Sequence, residues 1–97
     1  MRILVIGAGM MGWAAAFDMA RSERVQAVTL ADKDDVRLTE AVERVNRLVG
    51  KKKVIGATLD AADSDAALKL MQAHEGVLSA VPYFYNLKLA KVAIRAG

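Results

Sequence analysis

Two patterns of apolar and polar residues alternate along the chain. Short runs rich in β-branched residues, without polar alternation, predict strands that are buried on both faces of a parallel sheet. These runs lie at residues 3–6, 25–30, 54–59 and 77–81. Apolar residues elsewhere recur at spacings of three and four, which predicts helices at about 10–21, 34–50, 63–72 and 86–96.

The apolar positions and the capping residues of the predicted helices indicate which faces are buried and where the helices begin and end. The first is expected to bury Met10, Ala14, Phe17 and Ala20. The second is the most regular, with apolar positions Leu38, Ala41, Val42, Val45, Leu48 and Val49. Gly50 is placed to close this helix as its C′ residue, and Asp63-Ser64-Asp65 supplies N-cap candidates for the third helix.

Strict alternation of strand and helix predicts an α/β fold. Short links between the elements imply right-handed βαβ crossovers and a parallel sheet. We expect a Rossmann-type sheet of four strands in the spatial order 3-2-1-4 with flanking helices, which is an incomplete doubly wound fold. A chain of 97 residues fits one such domain.

Composition and charge exclude several classes of protein. Fourteen Lys and Arg against eleven Asp and Glu give a formal net charge of +3, too small a bias to indicate a nucleic-acid or membrane partner. The sequence has no cysteine, which excludes a disulfide framework and a thiolate metal site and suits a cytoplasmic protein. No apolar stretch approaches the roughly 20 residues that span a bilayer.

One motif points to chemistry, and it follows the first strand directly. Gly7-Ala8-Gly9-Met10-Met11-Gly12 fits the pattern G-x-G-x-x-G. Gly7 permits a tight turn, Gly9 lets the backbone approach a diphosphate, and Gly12 allows helix and strand to pack closely. This motif at the start of a helix predicts a dinucleotide site; the alternative is a Rossmann scaffold that has lost binding.

The ends of the first two strands supply the expected phosphate and sugar contacts. The N–H groups around Met10 and Met11 are expected to face the phosphates, with the helix dipole behind them. Asp32 follows Gly12 by twenty residues, where its carboxylate can accept from the adenosine ribose hydroxyls. Asp32 favours NAD over NADP; Lys33 and Arg37 leave NADP possible, although solvated surface charge is the preferred interpretation of both.

Two later segments are expected to border the same site. Asp60, at the end of the third strand, lies beside the adenine pocket or else serves as a turn or cap acid. Ser79-Ala80-Val81-Pro82 leaves the fourth strand beside the glycine turn and is expected to face the diphosphate or the nicotinamide ribose. No catalytic or metal-ligating residue is expected within this chain.

Other conspicuous residues receive structural interpretations. His74 is expected to face solvent at a helix end, and the methionines to fill the core or helices. The run Lys51-Lys52-Lys53 is interpreted as a hydrated entry to the third strand, because no interleaved aromatic residues support nucleic-acid binding. Trp13 packs either on a helix or on a further part of the protein.

The sequence resembles the saccharopine dehydrogenase-like family, which includes the lysine 6-dehydrogenases. The resemblance covers essentially all residues and is carried by three segments, at 1–12, 29–34 and 78–86. The third, Leu78-Ser79-Ala80-Val81-Pro82-Tyr83-Phe84-Tyr85-Asn86, is the most discriminating, because glycine motifs occur in many nucleotide-binding folds.

The resemblance implies an amino-acid oxidoreductase that transfers hydride at a C–N bond with NAD or NADP. It assigns the cofactor to Gly7, Gly9, Gly12 and Asp32, with Ala80, Val81 and Pro82 beside its diphosphate and nicotinamide. Family members are several times longer. We therefore expect residues 1–97 to be the N-terminal part of the dinucleotide-binding domain, with the substrate domain absent and no activity alone.

Two further expectations concern function class and assembly. The alternative function is a non-catalytic nucleotide sensor of the kind that regulates potassium transport, which also has a glycine turn and an acid after the second strand. The segment at 79–86 argues against it. An apolar edge on the fourth strand predicts a homo-oligomer, formed through that edge or through the last helix.

Overall fold

A computed structural model describes residues 1–60 and 62–79 as alternating strands and helices. In chain order the elements are β1 (Arg2–Ile6), α1 (Met10–Arg21), β2 (Ala27–Asp32), α2 (Asp35–Val49), β3 (Val54–Thr58), α3 (Ser64–Gln72) and β4 (Gly76–Ser79). The helix expected at 86–96, and the end of the fourth strand expected at Val81, lie outside the described residues.

The four strands form one parallel sheet in the order β3-β2-β1-β4. This confirms the predicted fold class and strand order. β1 lies between β2 and β4, with Ile6 opposite Ala31 on one side and Ser79 on the other. The carboxyl ends of these three strands therefore meet beside the turn that follows Ile6, which is where ligands bind in open α/β sheets.

Both faces of the sheet are covered, as the continuous apolar strands predict. On β1, Ile3 and Val5 pack with residues of α1 and α2, whereas Leu4 and Ile6 pack with Ala67 and other residues of α3. Successive side chains of a strand point to opposite faces, so one run of four apolar residues joins two cores.

β2 lies two residues later than its apolar run suggests. Val25 is buried, but its N–H donates to the Ser22 carbonyl in the preceding turn, and ladder pairing begins with Ala27 opposite Arg2. At the other end, Asp32 still pairs with Thr58 of β3. Burial and β-branching marked the apolar run correctly, but hydrogen bonding to the neighbouring strands sets the limits of the strand.

The inner face of α1 differs from the predicted stripe. The helix buries Gly12, Ala16 and Ala20, whereas Met10 and Met11 are 87% and 76% exposed. These two methionines therefore belong to the helix, as expected, but not to the core. Small residues let α1 approach the sheet closely, and its other apolar side chains lie around the helix, so periodicity alone did not identify the buried face.

The α2 and α3 termini form as predicted. Gly50 ends α2 in the left-handed conformation at φ 79°, where a Cβ would be strained. The Asp63 side chain caps α3 by accepting from the Ala66 N–H. On α2 itself, the predicted inner residues Leu38, Ala41 and Val45 are buried, but Leu48 is exposed.

β4 lies at one end of the sheet within the described residues, with Leu78 partly exposed. This position is compatible with the predicted homo-oligomer through the fourth strand, which stays a prediction. Within residues 1–60 and 62–79, no helix is both long enough and apolar enough to cross a membrane.

Candidate functional site

The glycine turn is held by two hydrogen bonds from its backbone to the end of β2, one to a carbonyl and one to a carboxylate. Gly7 has φ 104°, a conformation that favours glycine, and its N–H donates to the Ala31 carbonyl at 2.7 Å. The next residue, Ala8, is buried, and its N–H donates to Oδ2 of Asp32 at 2.7 Å. Both contacts hold the turn against the carboxyl end of β2. The sequence predicts an acid at the end of this strand, but as an acceptor for ribose hydroxyls rather than for the Ala8 N–H.

Gly9 begins α1 and leaves the space beside it open. Its backbone is extended (φ −68°, ψ −170°), so a side chain would not strain it. A Cβ at this position would meet no described atom within 4 Å. Glycine here therefore keeps space clear outside the turn rather than permitting an unusual backbone conformation.

The start of α1 presents hydrogen-bond donors to that space. Gly9 has no side chain with which to cap the helix, and the first turn contains no acidic residue. The N–H groups at a helix start lack partners within the helix, and the helix dipole gives them positive potential. The open space and these donors together fit an anionic group such as a diphosphate.

Asp32 lies at the inner side of this site with a buried side chain that is only 4% exposed. Its Oδ2 accepts from the Ala8 N–H, and its Oδ1 accepts from the Asp34 N–H at 3.0 Å. Burial alone would raise the pKa of the carboxyl group. Hydrogen bonds from the Asp34 and Ala8 N–H groups and from Arg37 outweigh burial and hold the pKa below its ordinary value of 3.8.

Arg37 also reaches this carboxylate, contrary to its interpretation as solvated surface charge. One guanidinium nitrogen lies 3.1 Å from Oδ1 and 2.9 Å from Oδ2 of Asp32. Arg37 lies in the first turn of α2, where Asp34 accepts from its backbone N–H, and this brings the side chain back over Asp32. The sequence indicates Arg37 as a candidate but does not fix the partner of its side chain.

Three other candidates lie at the same edge of the sheet. Lys33 is exposed directly after Asp32. Asp60 follows Leu59, whose N–H donates to the Asp32 carbonyl, but its own side chain accepts from the Ala62 N–H, as in a turn. Ser79 is opposite Ile6 and thus beside the glycine turn. Ala80, Val81 and Pro82 lie outside the described residues.

Two side chains expected to be hydrated have specific partners away from this edge. His74 is half-buried: its Nδ1 lies 2.6 Å from the Leu70 carbonyl oxygen, and its Nε2 lies 2.6 Å from the Thr29 hydroxyl. The expectation that His74 faces solvent is therefore wrong. Lys53 donates through Nζ to the carbonyls of Ala20 and Ser22, so it secures the end of α1 rather than a hydrated strand entry.

Trp13 packs within the domain. Its ring is stacked on Phe17 of α1 at 5.9 Å between centroids, and the Arg44 guanidinium of α2 lies 4.8 Å from its centroid. The first of the two interpretations of Trp13, packing on a helix, agrees with these contacts. The indole therefore contributes to the contact between α1 and α2.

Solved structures of dehydrogenases share this fold. Apo saccharopine dehydrogenase (L-Glu forming) from Saccharomyces cerevisiae is 25% identical, with a TM-score of 0.76 over 98% of this chain and 20% of that enzyme. Quinate dehydrogenase from Corynebacterium glutamicum in complex with NAD is 27% identical, with a TM-score of 0.72 over 84% of this chain and 27% of that one. A shikimate 5-dehydrogenase from Mycobacterium fortuitum, 23% identical with a TM-score of 0.72 over 98% of this chain and 33% of that one, shares the fold.

The chain spans about a fifth of the length of the yeast saccharopine dehydrogenase. A family model described as the saccharopine dehydrogenase NADP binding domain matches residues 3–97, nearly the whole sequence. That match agrees with the resemblance, with the parallel sheet and with the acid beside the glycine turn. The chain therefore belongs to the saccharopine dehydrogenase NADP binding domain family, whose cofactor is a nicotinamide dinucleotide.

Proposed function

We propose that the carboxyl edge of this sheet binds the adenosine diphosphate part of the dinucleotide, with Gly9 and Asp32 as the two decisive residues. The observation that carries the proposal is the hydrogen bond from the Ala8 N–H to Asp32. This contact supports the proposal because it holds the Asp32 carboxylate against the same turn that leaves the space beside Gly9 open. The proposed phosphate site at Gly9 and the proposed ribose site at Asp32 are thus joined through the backbone of Ala8.

The diphosphate is proposed to lie at the start of α1. The backbone N–H groups of Met10, Met11 and Gly12 supply donors there, and no Cβ at position 9 stands in the way. The side chains of Met10 and Met11 point into solvent-exposed positions. We therefore propose that only the backbone N–H groups of these residues bind the diphosphate.

The adenosine ribose is proposed to reach Asp32, with Lys33 beside it and Asp60 at the border of the adenine pocket. Ser79, on the other side of β1, is proposed to face the diphosphate or the nicotinamide ribose. Asp32 is ionised at neutral pH, because its pKa is lowered, so both oxygens are acceptors. Ala80, Val81 and Pro82 are proposed to follow Ser79 along the nicotinamide side, as the resemblance implies.

The bound cofactor supplies hydride transfer, and we propose that the parent reaction is oxidation at a C–N bond or its reverse. Support comes from the family match and from the likeness to saccharopine dehydrogenase. The 97-residue chain is proposed to bind cofactor without turnover. Hydride transfer requires a substrate held at near-attack distance, and the yeast enzyme is about five times longer than the matched region.

Calorimetric titration of the chain with NAD, NADP, ADP-ribose and nicotinamide mononucleotide tests the proposal. ADP-ribose should retain most of the affinity of NAD, because the described contacts serve the adenosine diphosphate half, and nicotinamide mononucleotide should bind far more weakly. Equal affinity for both halves, or no binding of any dinucleotide at millimolar concentration, would contradict it.

Measurement of activity addresses the parent reaction separately. With saturating cofactor and lysine-type amines, the 97-residue chain should release no reduced cofactor above the rate without protein. Amine-dependent turnover by the chain alone would contradict the proposed division between cofactor binding and catalysis.

A further inference from the structure

The ion pair between Arg37 and Asp32 occupies the acceptor that a ribose would use. Both carboxylate oxygens contact the same guanidinium nitrogen, at 3.1 and 2.9 Å. We propose that Arg37 sets the cofactor preference of the site by competing with the ribose hydroxyls of NAD and by binding the 2′-phosphate of NADP. This inference rests on the proposed function.

The two members of the pair differ in their freedom to move. Asp32 is 4% exposed and is also held by the Ala8 and Asp34 N–H groups, so its position does not depend on Arg37. The Arg37 side chain is 53% exposed, and within residues 1–60 and 62–79 its only side-chain hydrogen bonds go to Asp32. Arg37 can therefore leave while Asp32 stays.

NAD must share or displace this guanidinium. The ribose hydroxyls need lone pairs of the carboxylate, and Arg37 already contacts both oxygens. Because the Arg37 member of the pair is 53% exposed, solvent screens the attraction, so displacement is possible but lowers the affinity for NAD. Removal of Arg37 should therefore strengthen NAD binding slightly.

NADP brings a 2′-phosphate close to the same carboxylate. A lone carboxylate repels the phosphate, whereas a guanidinium forms charge-assisted hydrogen bonds with it and offsets part of the negative charge of the two groups. The structure places such a guanidinium on the carboxylate itself. Removal of Arg37 should therefore weaken NADP binding strongly, and the two cofactors should respond with opposite sign.

The test measures dissociation constants of NAD and NADP for the wild type, Arg37→Ala and Arg37→Gln. For both variants we expect NADP affinity to fall by about tenfold or more and NAD affinity to rise by about two- to threefold. Arg37→Lys should restore part of the NADP affinity, because it returns the charge without the planar fork. Thermal unfolding of each variant checks that the fold is kept.

Arg47→Ala is the matched control, since it removes an exposed arginine from the last turn of the same helix. It should change both affinities equally and by less than about twofold, as screened distant charges do. Variants at Arg37 that shift NAD and NADP by the same factor would overturn the inference while the proposed site stands. A wild-type chain that binds neither dinucleotide would overturn the proposed function, and this inference with it.

Discussion

The starts of α1 and α2 lie at the same edge of the sheet, but their backbone N–H groups differ in the acceptors they have. Asp34 caps α2 by accepting from the N–H groups of Val36 and Arg37, and Asp35 adds a negative charge to the first turn. α1 begins at Gly9, which has no capping side chain, and its first turn has no acidic residue. The first turn of α2 therefore carries its own carboxylates, whereas the first turn of α1 has N–H donors but no carboxylate.

This difference separates a helix start that is capped for stability from one that we propose binds an anion. A side-chain cap typically contributes about 1 kcal/mol, so a helix without one forgoes that stabilisation. The same absence leaves N–H groups and dipole potential for an external anion. α3 follows α2, with Asp63 as its cap, which makes α1 the exception among the three described helices.

The largest expected effect comes from a charge placed in the open space. Gly9→Asp should weaken binding of NAD and NADP by at least about 100-fold, because its carboxylate caps the helix and repels the diphosphate. Gly9→Ala is the control: its Cβ meets no atom of the described residues within 4 Å, so the fold should be unchanged and the loss about tenfold or less. Calorimetry measures both, and wild-type affinity in Gly9→Asp would contradict the account.

Asp32→Ala should affect both binding and stability. It leaves the buried N–H of Ala8 without its carboxylate partner, which costs about 1–3 kcal/mol of unfolding free energy. NAD affinity should fall about tenfold or more, as expected when a charged acceptor is lost. Denaturant unfolding and titration measure the two effects, and unchanged NAD binding in a folded variant would exclude Asp32 from the ribose site.

Asp63→Ala and Gly9→Ser should move stability in opposite directions. The first removes the cap of α3 and should lower the free energy of unfolding by about 1 kcal/mol without altering binding. The second offers α1 a cap and should raise stability by a few tenths of a kcal/mol while it weakens cofactor binding. Equal destabilisation by both substitutions would contradict the difference in capping between α1 and α3.

The smallest effect concerns pH. The pKa of Asp32 is lower in the folded chain than its ordinary value of 3.8, so its ionised form stabilises the fold above that value. This contribution is lost as pH falls through 3.8 and then through the lower folded pKa. Unfolding curves should therefore show a steeper acid loss of stability in the wild type than in Asp32→Ala, and parallel curves would contradict this assignment.

Local signals in the sequence were enough for most of the fold. Apolar runs predicted four strands, Asp63 and Gly50 marked helix ends, and the spacing from Gly12 to Asp32 predicted an acid beside the turn. These features depend on neighbours in the chain or on the regular geometry of a βαβ unit. The buried face of α1 was missed because apolar residues lie around that helix.

Partners across the fold could not be predicted in the same way. His74 meets Thr29 across 45 residues, and Lys53 meets Ala20 across 33. Arg37 is only five residues from Asp32, yet its side chain had solvent, a phosphate and a carboxylate as alternatives. Long polar side chains have many rotamers, so packing decides their partners rather than sequence spacing.

Binding of the diphosphate at the start of α1 is tested most directly by the NMR response of backbone amides to ADP-ribose. We expect the largest chemical-shift changes at Gly9, Met10, Met11 and Gly12, where α1 lacks a side-chain cap. The Ala66 N–H already donates to the Asp63 side chain, so the chemical shift of this amide should barely change. Shifts concentrated at the start of α3, or spread evenly over the chain, would contradict binding of the diphosphate by α1.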